Sequence, residues 1–221
     1  MKIMMKLTYF NVRGLAETSR ILLAIGGEEY EDYRYPLEII DMKTHKMNKP
    51  EFENDKKEGR LVHALNKVPF LTLEDGTIIP QSKTIERFLA NRFYLMGSTD
   101  VEAARIDAIC ECVRDFKELY QPVRKLEGEE KEKGLEEWFT KTLVEKLELL
   151  EHNLDNDEYS VGYHLSLSDV VLFGFITQFF DNKEAAMKAT ETTPKIRGIV
   201  ENVGKLGRVQ RWLESRPQTD F

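Results

Sequence analysis

The amino-acid sequence predicts two domains, an α/β domain over residues 1–96 followed by an all-α domain over residues 97–221. Three observations carry this. The first third alternates short strand-like apolar segments with helical patterns, the order that builds a small mixed sheet with helices packed on it. Beyond Gly97-Ser98-Thr99-Asp100 only helical periodicity remains. Finally, 221 residues, 41% hydrophobic and 32% charged, supply enough apolar surface for two modest cores, as a disordered chain does not.

Lys6 to Phe10 is a short run of strand formers, followed by a loop through Asn11 to Gly14 and a helical pattern from Ala16 to Ala24 that Gly26 and Gly27 close. Glu29 to Tyr35 alternates tyrosines with charges at a period of about two, which predicts a second strand, parallel to the first across the intervening helix. Glu38 to Gly59 is polar, Lys-rich and weakly periodic. Val68 to Leu73 and Thr77 to Ile79 flank Glu74-Asp75-Gly76, the signature of a hairpin, and a helix is expected from Ser82 to about Arg92.

In the second domain Ile106, Ile109, Val113, Phe116 and Tyr120 fall on one helical stripe, and a further helix is expected from Leu135 to Leu154. Ser166 and Asp169 form a capping box, in which each side chain satisfies a free backbone donor at a helix start. The helix that follows is apolar on all faces, which places it at the domain centre. A last helix is expected to carry Val203, Leu206, Val209, Trp212 and Leu213.

Composition also excludes partners. With 32 Lys plus Arg against 39 Asp plus Glu, the net charge of -7 repels a phosphate backbone, so nucleic acid is not expected as a partner. Val170 to Phe180, the longest strongly apolar stretch, is too short to span a bilayer, and a signal peptide is not expected, since Arg13, Glu17 and Arg20 interrupt any apolar run after the basic start. Cys110 and Cys112 diverge on a helix and cannot pair with each other, which suits a cytoplasmic protein. No metal site is expected, because the four histidines lie far from both cysteines.

Three short elements could carry chemistry together: Tyr9-Phe10 ending the first strand, Lys67-Val68-Pro69 before the hairpin, and Gln81-Ser82 opening a helix. Taken singly, each has an ordinary structural explanation: core aromatic, strand-opening proline, helix cap. Together, strand ends and a helix N-terminus can converge on one side of such a sheet, where the helix end suits a carboxylate. Val68-Pro69 is a candidate cis bond that would turn the Val68 N–H and C=O toward an extended, peptide-like ligand.

In the order and combination of these motifs the chain resembles the cytosolic glutathione transferases, most closely the sigma class, which includes the haematopoietic prostaglandin D synthases. The resemblance rests on Leu7 through Gly14 with Ala16-Glu17, on Lys67-Val68-Pro69, Gln81-Ser82, Ser166 with Asp169, and Arg216-Pro217-Gln218-Thr219, and spans nearly the whole chain. It implies a thioredoxin-like first domain that binds glutathione as co-substrate and a helical second domain that contributes the electrophile pocket. Tyr9 would donate a hydrogen bond to the glutathione sulfur. Lys67, Val68 and Pro69 would hold the cysteinyl part, Gln81 and Ser82 the γ-glutamyl carboxylate, and Arg60 the glycyl carboxylate. Asp115 would reach the glutamyl amine across the interface of a homodimer.

The chain departs from the family pattern in places. Leu15 replaces an arginine used in several related classes, the tryptophan expected between Arg34 and Lys67 is missing, and Glu111, Arg114, Asp115 and Val123 stand where prostaglandin isomerases carry an acidic metal cluster and an aromatic. The expected activity is therefore detoxifying conjugation of glutathione to small electrophiles, with reduction of organic hydroperoxides at the same site. The rival readings are a crystallin-like or ligand-carrying relative without turnover, and a dedicated glutathione-dependent isomerase. Val12, the region near Tyr120 and the C-terminal residues are expected around the second substrate.

Overall fold

In a computed structural model the chain divides into two compact units, Met1–Leu89 with Arg211–Phe221 and Ala90–Gln210. The structure describes residues 4–41 and 46–219.

The first unit is built on a four-stranded sheet. β1 (Met5–Phe10) leads through α1 (Glu17–Gly26) to β2 (Tyr30–Tyr35), which pairs parallel with β1. Along β1 the side chains alternate, Met5, Leu7 and Tyr9 on one face and Thr8 on the other, and all four are buried because both faces are covered. Gly27 closes α1 in the left-handed region (φ 68°), and the amides of Gly27 and Glu28 return to Ala24 and Leu23.

The described residues of the polar stretch after β2 hold more regular structure than its weak periodicity suggests. They form a two-stranded antiparallel sheet, β3 (Glu38–Asp41) and β4 (Lys46–Asn48), and then α2 (Pro50–Lys57). Elements of three to eight residues give too few repeats for a period to be read, and α2 buries only Phe52. Phe52 packs with Tyr35, Leu61, Ala64 and Phe70. Polar pairs tie the charged helix to β2: the Tyr35 hydroxyl donates to Asp55 at 2.6 Å and that of Tyr33 donates to Glu51.

The hairpin strands β5 (Phe70–Thr72) and β6 (Ile78–Pro80) complete the sheet in the order β2-β1-β5-β6, with β5 antiparallel to β1, and α3 (Ser82–Arg92) follows.

The second unit is helical. α4 (Asp100–Arg124) buries the stripe Ile106, Ile109, Val113, Phe116 and Tyr120. α5 (Gly128–Glu137) and α6 (Leu143–Glu151) are joined by a π-helical turn at Trp138–Thr142. α7 (Leu167–Gly174) is buried along most of its length and runs into a second π turn at Phe175–Phe179. Each π turn adds a residue to the coil and resets the apolar period. Around them Tyr120 packs 5.0 Å from the rings of both Trp138 and Phe180, a core aromatic as its place on the apolar stripe predicts.

Asp169 caps α7 as predicted. Its carboxylate accepts from the amides of Ser160 and Ser166 at 2.7 and 2.8 Å and from the Ser166 hydroxyl at 2.9 Å. After α8 (Lys183–Lys188) come α9 (Pro194–Lys205) and α10 (Gly207–Ser215). The single last helix expected from sequence is thus two, broken at Leu206 with ψ at 117°, where Gly204 and Gly207 weaken helix propagation on either side.

Candidate active site

Tyr9 stands near the C-terminal end of β1 with its ring buried. The chain then doubles back, with the Val12 amide on the Phe10 carbonyl at 2.7 Å and a 3-10 turn at Gly14–Ala16. That turn brings the Leu15 amide to the Tyr9 hydroxyl at 3.2 Å, so the phenol oxygen accepts from the backbone. Gly14 makes the fit possible: its φ is +39°, and a Cβ there would stand 2.7 Å from the Tyr9 hydroxyl oxygen.

Burial pushes the Tyr9 phenol above its ordinary range, while the Leu15 amide and the Arg20 guanidinium pull it down less strongly. The net direction is upward, so the hydroxyl keeps its proton at neutral pH. A group in that state can serve as a donor.

Leu15 in turn lines a cleft with Ala64, Lys67, Val68, Pro69, Gln81 and Ser82. The turn before it holds Leu65 and Asn66 at positive φ (58° and 55°) and ends with the Lys67 amide on Ala64 O at 3.1 Å. The Val68–Pro69 bond is cis. Gln81, also at positive φ (73°), precedes the first residue of α3, and its carbonyl accepts from Ile85. The N-terminal end of an 11-residue helix therefore closes one side of the cleft, where its dipole favours an anion.

The structure thus gathers Lys67, Val68, Pro69, Gln81 and Ser82, and links Tyr9 to them through Leu15. Two expected residues are not among those that line the cleft. Arg60 is exposed and pairs with Asp55 and Glu58, outside the cleft lining. Asp115 is an exposed residue of α4 in the second unit, 3.4 Å from Arg114.

Sequence reasoning also missed the scaffold under the Tyr9 loop. Arg20 is fully buried, donating to the carbonyls of Val12 (2.8 Å) and Arg13 (3.4 Å) and to Asp32 (3.2 Å). In the sequence it shows only as a cation interrupting an apolar run, a signal for a buried charge that needs partners. Glu17, buried beside it, accepts from Trp212 and Arg216.

A mixed sheet with a buried tyrosine, a cis-proline turn and a helix end around one cleft, together with a helical unit, defines a thioredoxin-like ligand-binding domain joined to an all-α domain. The chain belongs to the glutathione S-transferase family. Residues 5–91 match the family's N-terminal domain and residues 114–216 its C-terminal domain. It is 33% identical over 214 residues to the hematopoietic prostaglandin D synthase of Gallus gallus, covering 97% of both chains. To glutathione S-transferase S1 of Drosophila melanogaster it is 32% identical over 97% of this chain and 79% of that protein. Its fold matches the crystal structure of Na-GST-3, a glutathione S-transferase of the hookworm Necator americanus described as monomeric, with a TM-score of 0.82, 28% identity and coverage of 99% and 100%.

Proposed function

We propose that this protein conjugates glutathione to small electrophiles, with Tyr9 as the hydrogen-bond donor to the thiolate. The observation that carries this reading is the buried Tyr9 hydroxyl held by the amide of Leu15, which itself lines the cleft of Lys67, Val68, Pro69, Gln81 and Ser82. The glutathione thiol, ordinarily near pKa ~8.5, releases its proton more readily once the anion accepts the Tyr9 O–H. The thiolate then forms a C–S bond to the electrophilic carbon as the leaving group departs with its electron pair. With a hydroperoxide the same thiolate attacks the terminal oxygen, the O–O bond breaks and the alkoxide leaves and takes up a proton to become the alcohol; the glutathione sulfenic acid so formed condenses with a second glutathione to give the disulfide and water.

In this reading the backbone of Val68 with Lys67 and Pro69 orients the cysteinyl part, and Gln81 and Ser82 hold the γ-glutamyl carboxylate at the end of α3. Arg60 serves the glycyl carboxylate only if it leaves Asp55 and Glu58. Asp115 acts across a homodimer, which a sizing experiment decides against the monomer described for the Necator protein. Residues 1–96 form the glutathione domain and 97–221 the domain contributing the electrophile pocket, in a cytoplasmic detoxifying enzyme. Prostaglandin isomerisation is not part of the proposal, since Arg114 stands among Glu111, Asp115 and Glu118 and pairs with each of them.

The test is steady-state conjugation to an aryl halide by wild type and Tyr9→Phe. A fall in kcat/KM of about tenfold or more, about 1.4 kcal/mol of transition-state stabilisation, is expected. Equal activity of the two proteins would remove Tyr9 from the mechanism. Glutathione binding by wild type without turnover on any electrophile would instead favour a carrier or crystallin-like role.

A further inference from the structure

We infer that Arg216 and Trp212, near the C-terminus, are positioning residues for Tyr9, acting through Glu17 and Arg20 on the loop whose amide holds the phenol. This rests on the reading of Tyr9 as the catalytic donor.

The contacts form an unbroken chain. Arg216 Nη1 and Trp212 Nε1 both donate to Glu17 Oε1, at 2.5 and 2.9 Å. The other oxygen of Glu17 meets Arg20 Nη1 at 3.5 Å, and that same nitrogen donates to the Val12 and Arg13 carbonyls. From Arg13 the chain turns through Gly14 to the Leu15 amide and the Tyr9 hydroxyl.

The three charged groups in this relay of contacts are buried: Arg20 is fully so, and the side chains of Glu17 and Arg216 are 6% and 9% exposed. In such surroundings a carboxylate moves toward whatever donors remain when one is removed, because leaving it unpaired is costly. Removing Arg216 therefore draws Glu17 toward Arg20 and weakens the grip of Arg20 on the two carbonyls. The loop loosens, the Leu15 to Tyr9 bond lengthens, and the phenol is less well aimed at the sulfur. Outer contacts of this kind govern reactivity because a donor must be held to within a fraction of an ångström.

The experiment compares Arg216→Met, Arg216→Lys, Trp212→Phe, Tyr9→Phe and the Arg216→Met/Tyr9→Phe double variant. The readouts are the pH titration of bound glutathione thiolate by its ultraviolet absorbance, glutathione affinity, and kcat/KM for an aryl halide. For Arg216→Met the thiolate midpoint should rise by about half a pH unit or more and kcat/KM at neutral pH should fall about three- to tenfold, with affinity changed less than about twofold. Arg216→Lys should recover most of the loss, and Arg216→Met should add little in the Tyr9→Phe background.

An unchanged midpoint in Arg216→Met, with only thermal stability lowered, overturns the inference and makes Arg216 a structural strut. If Arg216→Met does not fold, Trp212→Phe, which keeps a ring and loses only the N–H, carries the test, and an unmoved midpoint there overturns it. If Tyr9→Phe shifts the midpoint and the C-terminal variants do not, this inference fails alone. If Tyr9→Phe leaves it in place, the reading of Tyr9 fails first and this inference falls with it.

Discussion

Replacing Gly14 by alanine tests the geometry around Tyr9 without touching any functional group. The added Cβ would stand 2.7 Å from the Tyr9 hydroxyl oxygen, 3.0 Å from Cε1 and 3.2 Å from Cζ, whereas ordinary contact begins at 3.4 Å. The hydroxyl must therefore retreat by about 0.7 Å, the difference between those two distances, or the loop must lift by as much. Either movement stretches the Leu15 to Tyr9 bond, already 3.2 Å, past hydrogen-bonding range. The backbone adds to this, because a left-handed conformation costs a non-glycine residue roughly 1–2 kcal/mol. A displacement approaching 1 Å at a catalytic group can cost about a hundredfold in rate, so Gly14→Ala should lose roughly ten- to a hundredfold in kcat/KM. Glutathione affinity should change much less, since Lys67, Gln81 and Ser82 are untouched. Steady-state kinetics with an aryl halide, paired with calorimetric glutathione binding and a thermal melt, would check this. A variant with wild-type kcat/KM would refute the claim that Tyr9 fills the space under Gly14.

Two further substitutions probe the second unit. Asp169→Ala removes the acceptor of two amides and a hydroxyl in a fully buried position, which should cost about 3 kcal/mol or more and lower Tm by roughly 6–12 °C; a shift under about 2 °C would contradict it. Asp155 is held below the usual carboxylate range first by its hydrogen bonds from Arg105, at 2.6 and 3.0 Å, and then by the Gly162 amide. A carboxyl lowered in the folded state contributes stability above its unfolded pKa of about 4 and loses it as pH falls through the folded value. Both side chains are about a third or more exposed, so the contribution should be under about 1 kcal/mol. The Tm gap between wild type and Asp155→Asn should accordingly shrink as pH is lowered from neutral into the acid range, and a gap independent of pH would remove the ion pair as its cause.

What was legible in the sequence was what repeats. β1, α1, β2, the hairpin and α3 announced themselves through period, turn residues and glycine caps, and the α4 stripe and the Ser166–Asp169 box were readable for the same reason. The hidden elements were short or out of phase: β3, β4 and α2 are too brief to repeat, and the π turns break the helical period where the aromatic residues are densest. Boundaries suffered likewise, since the polar residues opening α5 carry no apolar signal. For the candidate site, residue identity pointed to Tyr9, Lys67, Val68, Pro69, Gln81 and Ser82, of which the last five line one cleft. It could not reveal the Leu15 amide, because a backbone donor has no letter in the sequence, nor the meeting of Glu17 with Arg216 across 199 positions.

The substitution of Leu15 for a cation and the burial of Arg20 bear on the same physical question. A charged side chain at position 15 would stand at the mouth of the cleft, where Leu15 itself is 59% exposed, and water and salt would screen it. Arg20 instead acts from inside, with its Cζ 6.0 Å from the centroid of the Tyr9 ring and no exposure at all, so its pull on the phenol is little screened. A buried cation cannot stand alone, and Glu17, Asp32 and the two loop carbonyls are what make it tolerable. Those same partners fix the loop that carries Leu15. The requirement that neutralises Arg20 and the requirement that aims Tyr9 are thus met by one set of contacts, which explains why a carboxylate on α1 is anchored from the C-terminal end of the chain.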